Sequence, residues 1–118
     1  MKMNQFLKNL QPYKDYEQYK KELDHYRNFI QPMTDDEANK FRHTAAAAAM
    51  ARKYGVVLTN LMGGAKEFDD YFLQHKSGKD SMFDLLNNAV GSFHGTFYDK
   101  SAPRRSLYDH IYNECIKK

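Results

Sequence analysis

Apolar residues recur at intervals of three and four along most of this chain, which is the spacing of one face of an α-helix. The first such stretch is "DYEQYKKELDHYRNFI", residues 15–30, whose spaced apolar positions are Tyr16, Tyr19, Leu23, Tyr26 and Ile30. No stretch alternates in the manner of a β-strand, and β-branched residues are few. The pattern therefore predicts an all-α fold, a compact bundle of about five helices.

The second predicted helix begins at "TDDE" and ends at Gly55. Thr34 and Glu37 have the spacing of a capping box, and acidic residues suit the positive end of a helix. Glycine is the usual residue after the last turn. Five consecutive alanines, residues 45–49, follow in the middle of this helix. Because alanine is small, we expect another helix to approach this one closely.

Two further helices are predicted on either side of the fourth. The third begins at Val56 and is either one helix with a kink at the glycine pair 63–64 or two short helices. Its apolar face consists of Leu58, Leu61, Ala65, Phe68 and Phe72. A turn, "KSGKDS", separates it from the fourth helix. The fifth begins near Pro103, a good first-turn residue, and has an apolar face of Leu107, Tyr108, Ile111, Tyr112 and Cys115.

The fourth predicted helix, "SMFDLLNNAVGSFHG", contains two competing stripes. One is apolar and is predicted to face the core: Met82, Leu85, Leu86, Ala89, Val90 and Phe93. The other holds poor helix formers at four-three-four spacing: Asp84, Asn88, Gly91 and Gly95. This second stripe suits hydrogen bonding at one end and close approach of a backbone at the other.

Polar residues near the start of the second helix are candidates to meet this stripe. Asn39, Arg42 and His43 stand at i, i+3 and i+4. One interpretation is a structural clasp between the two helices, formed by Asn39, Arg42, His43, Asp84, Asn87, Asn88 and Gly91. The alternative is catalytic, with His43 as a general base and Asp84 as the group that orients it.

Two sequence blocks carry a resemblance to a known family. The first is "ANKFRH", with Ala38, Asn39, Phe41, Arg42 and His43, and the second is "DLLNNAVG", with Asp84, Leu85, Asn87, Asn88 and Gly91. The pairing resembles an uncharacterised domain family of bacteria and their phages, over about sixty residues. That family often has an Ala-His-Glu element between the blocks, where this chain has Lys76 in place of the acid, and often an Arg where this chain has Ser92. The resemblance implies a fold and a lineage rather than a reaction.

Composition narrows the class of protein. The 118 residues are expected to form one domain, 1–118, with a motif-bearing core at about 34–97. A net charge of +3 gives weak support to nucleic-acid binding, since acids are interspersed with the basic residues. One cysteine, Cys115, excludes an internal disulfide, and the histidine spacing predicts no metal site. No glycine-rich phosphate loop is present, and we expect no cofactor. No signal peptide or membrane span is recognisable, so we expect a location in a virion or in the cytoplasm.

These observations favour a small non-enzymatic phage-type protein, a structural or ejection-associated component of a virion or similar assembly. Its expected partners are other protein subunits, including copies of itself. We expect the tyrosine face of the first helix, Tyr16, Tyr19 and Tyr26, to be buried at an interface or in the bundle. A small hydrolase acting on cell-envelope material, with His43 and Asp84 as base and orienter, is the first alternative. A nucleic-acid-binding accessory protein is the second.

Overall fold

The computed structural model describes residues 9–30, 32–61, 64 and 78–117. The described helices are α1 (Gln11–Tyr26), α2 (Asp35–Tyr54), α3 (residues 56–61), α4 (Gly78–Phe97) and α5 (Arg104–Ile111). A 3₁₀ turn, Arg27–Phe29, continues α1, and a π-helical turn, Tyr112–Ile116, continues α5. No β-strand occurs in the described ranges. The predicted all-α bundle of about five helices is confirmed.

The helix ends show how local sequence sets these bounds. The Glu37 backbone N–H donates to Thr34 Oγ1 at 3.1 Å, and the Thr34 N–H donates to the Glu37 carboxylate at 2.9 Å. The predicted capping box of α2 is therefore confirmed. Gly55 ends α2 with a φ of 92°, which favours glycine over residues that carry a Cβ. α4 begins at Gly78, inside the stretch that was predicted to be a turn.

Part of the predicted third helix lies outside the described residues. This applies to Gly63, Ala65, Phe68 and Phe72, and also to Lys76. Of the predicted apolar face, Leu58 and Leu61 are described, and both are exposed.

α2 is the central helix of the bundle. Every residue from Thr44 to Ala51 is buried, so α2 is covered on all sides over two turns. α1 and α5 pack against it with large side chains, among them Tyr19, Leu23, Leu107 and Ile111. α4 makes the most extensive helix–helix contact with it. An alanine-rich helix can be buried in this way because its small side chains leave room for neighbours on every face.

The prediction that the apolar stripe of α4 faces the core is wrong. Its described members are exposed: Leu85, Leu86, Ala89, Val90 and Phe93. The other stripe, Asp84, Asn88, Gly91 and Gly95, is buried against α2. The reason is geometric. The small alanine side chains of α2 allow another helix to come close, and on α4 only the stripe with glycines, which have no Cβ atom, can make such a close contact.

The tyrosine face of α1 contributes to the core of the same chain. Tyr19 and Tyr26 are buried, and Tyr16 is half-buried against the core. The Tyr26 ring lies 5.8 Å from that of Phe41 and 6.0 Å from that of Tyr108, measured between ring centres. Such aromatic contacts stabilise a core beyond the area they bury. Two of these three tyrosines therefore already have their rings packed inside the chain.

Ionic hydrogen bonds hold α1 to the ends of α2 and α5. The Lys53 ammonium donates to Asp15 Oδ2 at 2.7 Å, and the Tyr54 hydroxyl donates to the same oxygen. Arg104 donates twice to the Glu22 carboxylate, at 2.8 and 2.7 Å. The bidentate geometry makes this a directional contact between α1 and α5.

Acid is expected to weaken the contact of Asp15 with α2. The hydrogen bonds from Lys53 and Tyr54 lower the pKa of Asp15 from 3.8 to about 2. Because this pKa is lower in the folded chain, the stabilisation is present above pH 3.8 and is lost as the pH falls towards 2. Asp15→Asn should therefore destabilise the protein at pH 6, and the gap to the wild type should close between about pH 4 and 2.

Urea unfolding at a series of pH values measures this gap. Asp109→Asn is the matched control, because Asp109 is an exposed carboxylate on α5. A difference between Asp15→Asn and the wild type that stays constant from pH 6 to pH 2 would contradict the prediction.

Candidate functional site

The buried polar pair between α2 and α4 is the feature closest to a site. His43 Nε2 lies 3.5 Å from Asp84 Oδ1, and the two side chains are 13% and 4% exposed. His43 comes from the third turn of α2 and Asp84 from the second turn of α4. The helices cross with these residues facing each other because the glycines of α4 allow a close approach further along.

That approach brings backbone against backbone. A Cβ placed on Gly91 would lie 2.0 Å from the carbonyl oxygen of Thr44, and one on Gly95 would lie 2.1 Å from that of Ala48. Both distances are far below van der Waals contact. Glycine Cα–H groups facing carbonyl oxygens are a recurring contact at tight helix–helix interfaces. The glycines of the second block thus set the spacing at which His43 and Asp84 meet.

The structure brings only some of the other predicted clasp residues to the contact between α2 and α4. Asn88 is buried in the same interface, and its backbone carbonyl accepts a hydrogen bond from Ser92 Oγ at 2.7 Å. Asn87 is half-buried. Arg42 Nη1 lies 3.8 Å from Asp24 Oδ1 on α1, away from Asp84. Asn39 is exposed on α2.

The interface also contains polar atoms that have no hydrogen-bond partner within the described part of the chain. These are Thr44 Oγ1 on α2 and Asn88 Oδ1 on α4. Buried polar atoms of this kind cost free energy. They lie in the same interface as the contact of Gly91 with the Thr44 carbonyl. The α2–α4 interface is therefore stabilised by close packing and only partly by hydrogen bonds.

The geometry around His43 and Asp84 bears on their chemistry. A general base acts on a substrate that reaches within hydrogen-bond distance of it. Two cavities that are lined by described residues lie elsewhere. One, of about 470 Å³, lies between α1 and α5 beside Glu22 and Arg105, and the other, of about 440 Å³, lies along α1. The His43 and Asp84 side chains are themselves mostly buried.

One histidine pair was missed at the sequence level. His94 Nδ1 of α4 lies 3.1 Å from His110 Nε2 of α5. Burial and the neighbouring His110 lower the pKa of His94, so the neutral imidazole is favoured there. The two residues are sixteen apart on different helices, so no local spacing could reveal the contact. Among the described residues, no group of three or more His, Cys, Asp or Glu is placed to hold a metal ion.

A groove between α1 and α5 carries charge and aromatic rings. The Arg105 guanidinium lies 5.7 Å from the Tyr26 ring centre and 5.4 Å from that of Phe29. These are cation–π distances. The Glu22 carboxylate in the same groove accepts hydrogen bonds from Arg104 and from the Tyr108 hydroxyl, the latter at 2.7 Å. The charges of the groove are therefore largely satisfied within the chain.

None of the helices in the described ranges is long and apolar enough to cross a bilayer. Comparison with protein-family models, with curated proteins and with solved structures gave no significant match.

Proposed function

We propose that this chain is a non-enzymatic helical component of a larger protein assembly, of the virion or ejection-apparatus type. In this proposal it binds other subunits through the outer face of α4, which consists of Leu86, Val90, Phe93 and Phe97. The observation that carries the proposal is that α4 turns its polar and glycine stripe inward and leaves this apolar face in water.

The size and chemistry of the outer face support a role in binding protein. Its side chains are 45% to 76% exposed. With each taken as roughly 150–250 Å² when fully exposed, they leave about 500 Å² of apolar surface in water. This is at the upper end of what a typical monomer exposes, and such patches mark interaction sites. No Lys, Arg, Asp or Glu occurs from Leu85 to Tyr98.

The burial of the His43–Asp84 pair supports the non-enzymatic part of the proposal. Both side chains are mostly buried, and the contact joins the two helices that carry the family-like blocks. A clasp explains why those blocks hold polar residues without requiring a substrate. The motif would then maintain the fold that displays the outer face of α4.

Incorporation into particles tests the proposal. Particles purified from the phage or bacterium that encodes the protein should contain it at a fixed copy number, measured by quantitative mass spectrometry. Val90→Asp should fold but remain outside the particles, because burying an unpaired carboxylate in an apolar interface is costly. Asn113→Asp, at another exposed position, is the control and should be incorporated normally.

Two results would overturn the proposal. One is absence from the particles, or incorporation that Val90→Asp does not change. The other is turnover of envelope material by the purified protein that is lost in a folded His43→Ala variant, which would favour the hydrolase.

A further inference from the structure

We propose that His94 of α4 and His110 of α5 form a proton-sensitive latch between these helices, closed while the pair carries at most one positive charge and open when both imidazoles are protonated. The latch is the hydrogen bond that joins His94 Nδ1 to His110 Nε2 at 3.1 Å. The proposal does not depend on the assembly role proposed above. It is carried by the geometry of the pair, by its surroundings and by the way in which α4 and α5 are held.

The hydrogen bond between the two imidazoles limits how many protons the pair can hold. One ring nitrogen must donate its N–H and the other must accept with its lone pair. A neutral pair meets this requirement, and so does a pair with one imidazolium, which donates to its neutral partner. When both rings are protonated, His94 Nδ1 and His110 Nε2 each carry a hydrogen and neither can accept. The second proton therefore breaks the bond and leaves two like charges with ring centres 5.1 Å apart.

The surroundings of the pair make a second positive charge costly. Both imidazoles are half-buried. The Phe93 ring lies 6.0 Å from that of His94, and the Tyr98 ring lies 5.2 Å from that of His110, measured between ring centres. Burial disfavours the charged form of a histidine. It is the main cause, and the neighbouring His110 the second, that places the pKa of His94 below its ordinary value of 6.5.

Glu114 supplies a negative charge near the pair, and one carboxylate balances only one of two positive charges. It lies in the π-helical turn after α5 and favours protonation of His94, but burial and His110 outweigh it. From α2, the residue that meets this end of α4 is Ala48, which is uncharged and packs against Gly95.

The charged groups between α2 and the loop after α4 are engaged with that loop. Arg52 of α2 donates to the backbone carbonyls of Asp99 and Ala102, at 3.2 and 2.7 Å. The Asp99 carboxylate accepts hydrogen bonds from the backbone N–H and the hydroxyl of Ser101. These groups therefore brace the loop and leave the proton balance of the latch to the two histidines and Glu114.

The latch joins two helices that otherwise make little direct contact. α4 and α5 each make a larger contact with α2 than with each other. Breaking the bond between His94 and His110 would therefore loosen the last turn of α4 and the loop 98–103, while α2 still holds both helices. The expected response to acid is a local opening at this end of the bundle.

Acid should also lower the overall stability through this pair. Because the pKa of His94 is lower in the folded chain, the unfolded chain binds more protons as the pH falls below 6.5. The stabilisation is complete above pH 6.5 and is lost as the pH falls through the lowered pKa. This window lies above that of Asp15, which contributes its pH dependence below pH 3.8.

An NMR titration of the histidine ring protons, from about pH 8 to pH 5, measures the coupling in the full chain. The variant is His110→Gln, because the amide can keep a hydrogen bond to His94 but cannot become charged. The titration midpoint of His94 should move upward in this variant. Exposed His25 is the internal control and should keep its midpoint. A His94 midpoint that does not move overturns the proposal.

Urea unfolding at about pH 7.5 and pH 5 measures the effect on stability. Acidification should raise the unfolding equilibrium constant of the wild type by about fivefold more than that of His110→Gln, which is the contribution of one hydrogen bond. His25→Gln is the control and should follow the wild type. The His43–Asp84 pair is present in every variant, so its contribution cancels in the comparison. Equal acid responses of the wild type and His110→Gln would contradict the latch.

Hydrogen–deuterium exchange at about pH 5 locates the opening. Comparing two proteins at one pH removes the intrinsic pH dependence of exchange. Amides of residues 95–102 should exchange about fivefold faster in the wild type than in His110→Gln, and those of α2 should exchange equally. His94→Asn removes the charge from the other partner and should behave as His110→Gln does, and it replaces that variant if His110→Gln does not fold. Equal exchange of residues 95–102 in the wild type and the variants overturns the proposal.

Discussion

Replacing Gly91 or Gly95 by alanine is expected to destabilise the protein by about 3 kcal/mol or more, a large part of the stability of a small domain. The added Cβ would meet a backbone carbonyl oxygen of α2, at Thr44 or Ala48. A carbonyl within a buried helix cannot turn aside as the end of a side chain can. The two helices must move apart, which opens the packed interface along its length. The gain in helix propensity from alanine, up to about 1 kcal/mol, is too small to compensate.

Gly64 is the matched control for this prediction. It is helical, and a Cβ built on it would meet nothing within 4 Å. Gly64→Ala should therefore leave the stability unchanged or raise it by up to about 1 kcal/mol. Urea and thermal unfolding, followed by circular dichroism, measure all three variants. A Gly91→Ala variant that melts with the wild type would contradict the close approach of α4 to α2.

Removing the carboxylate of Asp84 is the second change with a large expected effect. Asp84 is almost fully buried beside His43. Loss of one member of a buried pair removes the polar partner of the other, at a cost of about 3 kcal/mol or more. Asp84→Ala should therefore lower the melting temperature by roughly 10 °C in a domain of this size. Asp84→Asn should be milder, because the amide keeps the volume and can still accept a hydrogen bond.

Asp24 provides the comparison for Asp84. Its carboxylate also faces a basic side chain on α2, at 3.8 Å from Arg42, but the Asp24 side chain is 55% exposed. An exposed pair contributes less than about 1 kcal/mol, so Asp24→Ala should shift the melting temperature only slightly. If Asp84→Ala and Asp24→Ala lowered the melting temperature equally, burial would not determine how much each carboxylate contributes to stability. An unchanged melting temperature together with a lost activity would favour the catalytic alternative for His43 and Asp84.

Features with a local physical cause were predictable from the sequence. The capping box of Thr34 and Glu37 depends on residues three apart, and the end of α2 depends on the conformation of Gly55. The helical periods depend on neighbours within two turns. Each of these can be recognised without knowing what the helix packs against.

The inward face of α4 depends on its neighbour and could not be settled by periodicity. Leu86 and Val90 satisfy the usual pattern of a core face, and Gly91 and Gly95 do not. The small side chains of α2 reverse this preference, because close backbone contact is available only along the glycines. Contacts between distant segments, such as His94 with His110, have no signature in either segment. The sequence did allow the Asp84 and Gly91 stripe to be singled out, although it left the role of that stripe open.

The buried alanines of α2 also affect the entropy of folding. Burying a long side chain costs up to about 2 kcal/mol of lost rotamer freedom, whereas alanine and glycine lose none. Five consecutive alanines, residues 45–49, and the facing glycines therefore order this interface without that cost. The same property removes any means of local adjustment, because side chains without rotamers cannot repack around a change. Variation in this interface must be absorbed by movement of whole helices, so the α2–α4 pair should behave as one rigid unit while the longer side chains of α1 and α5 adapt around it.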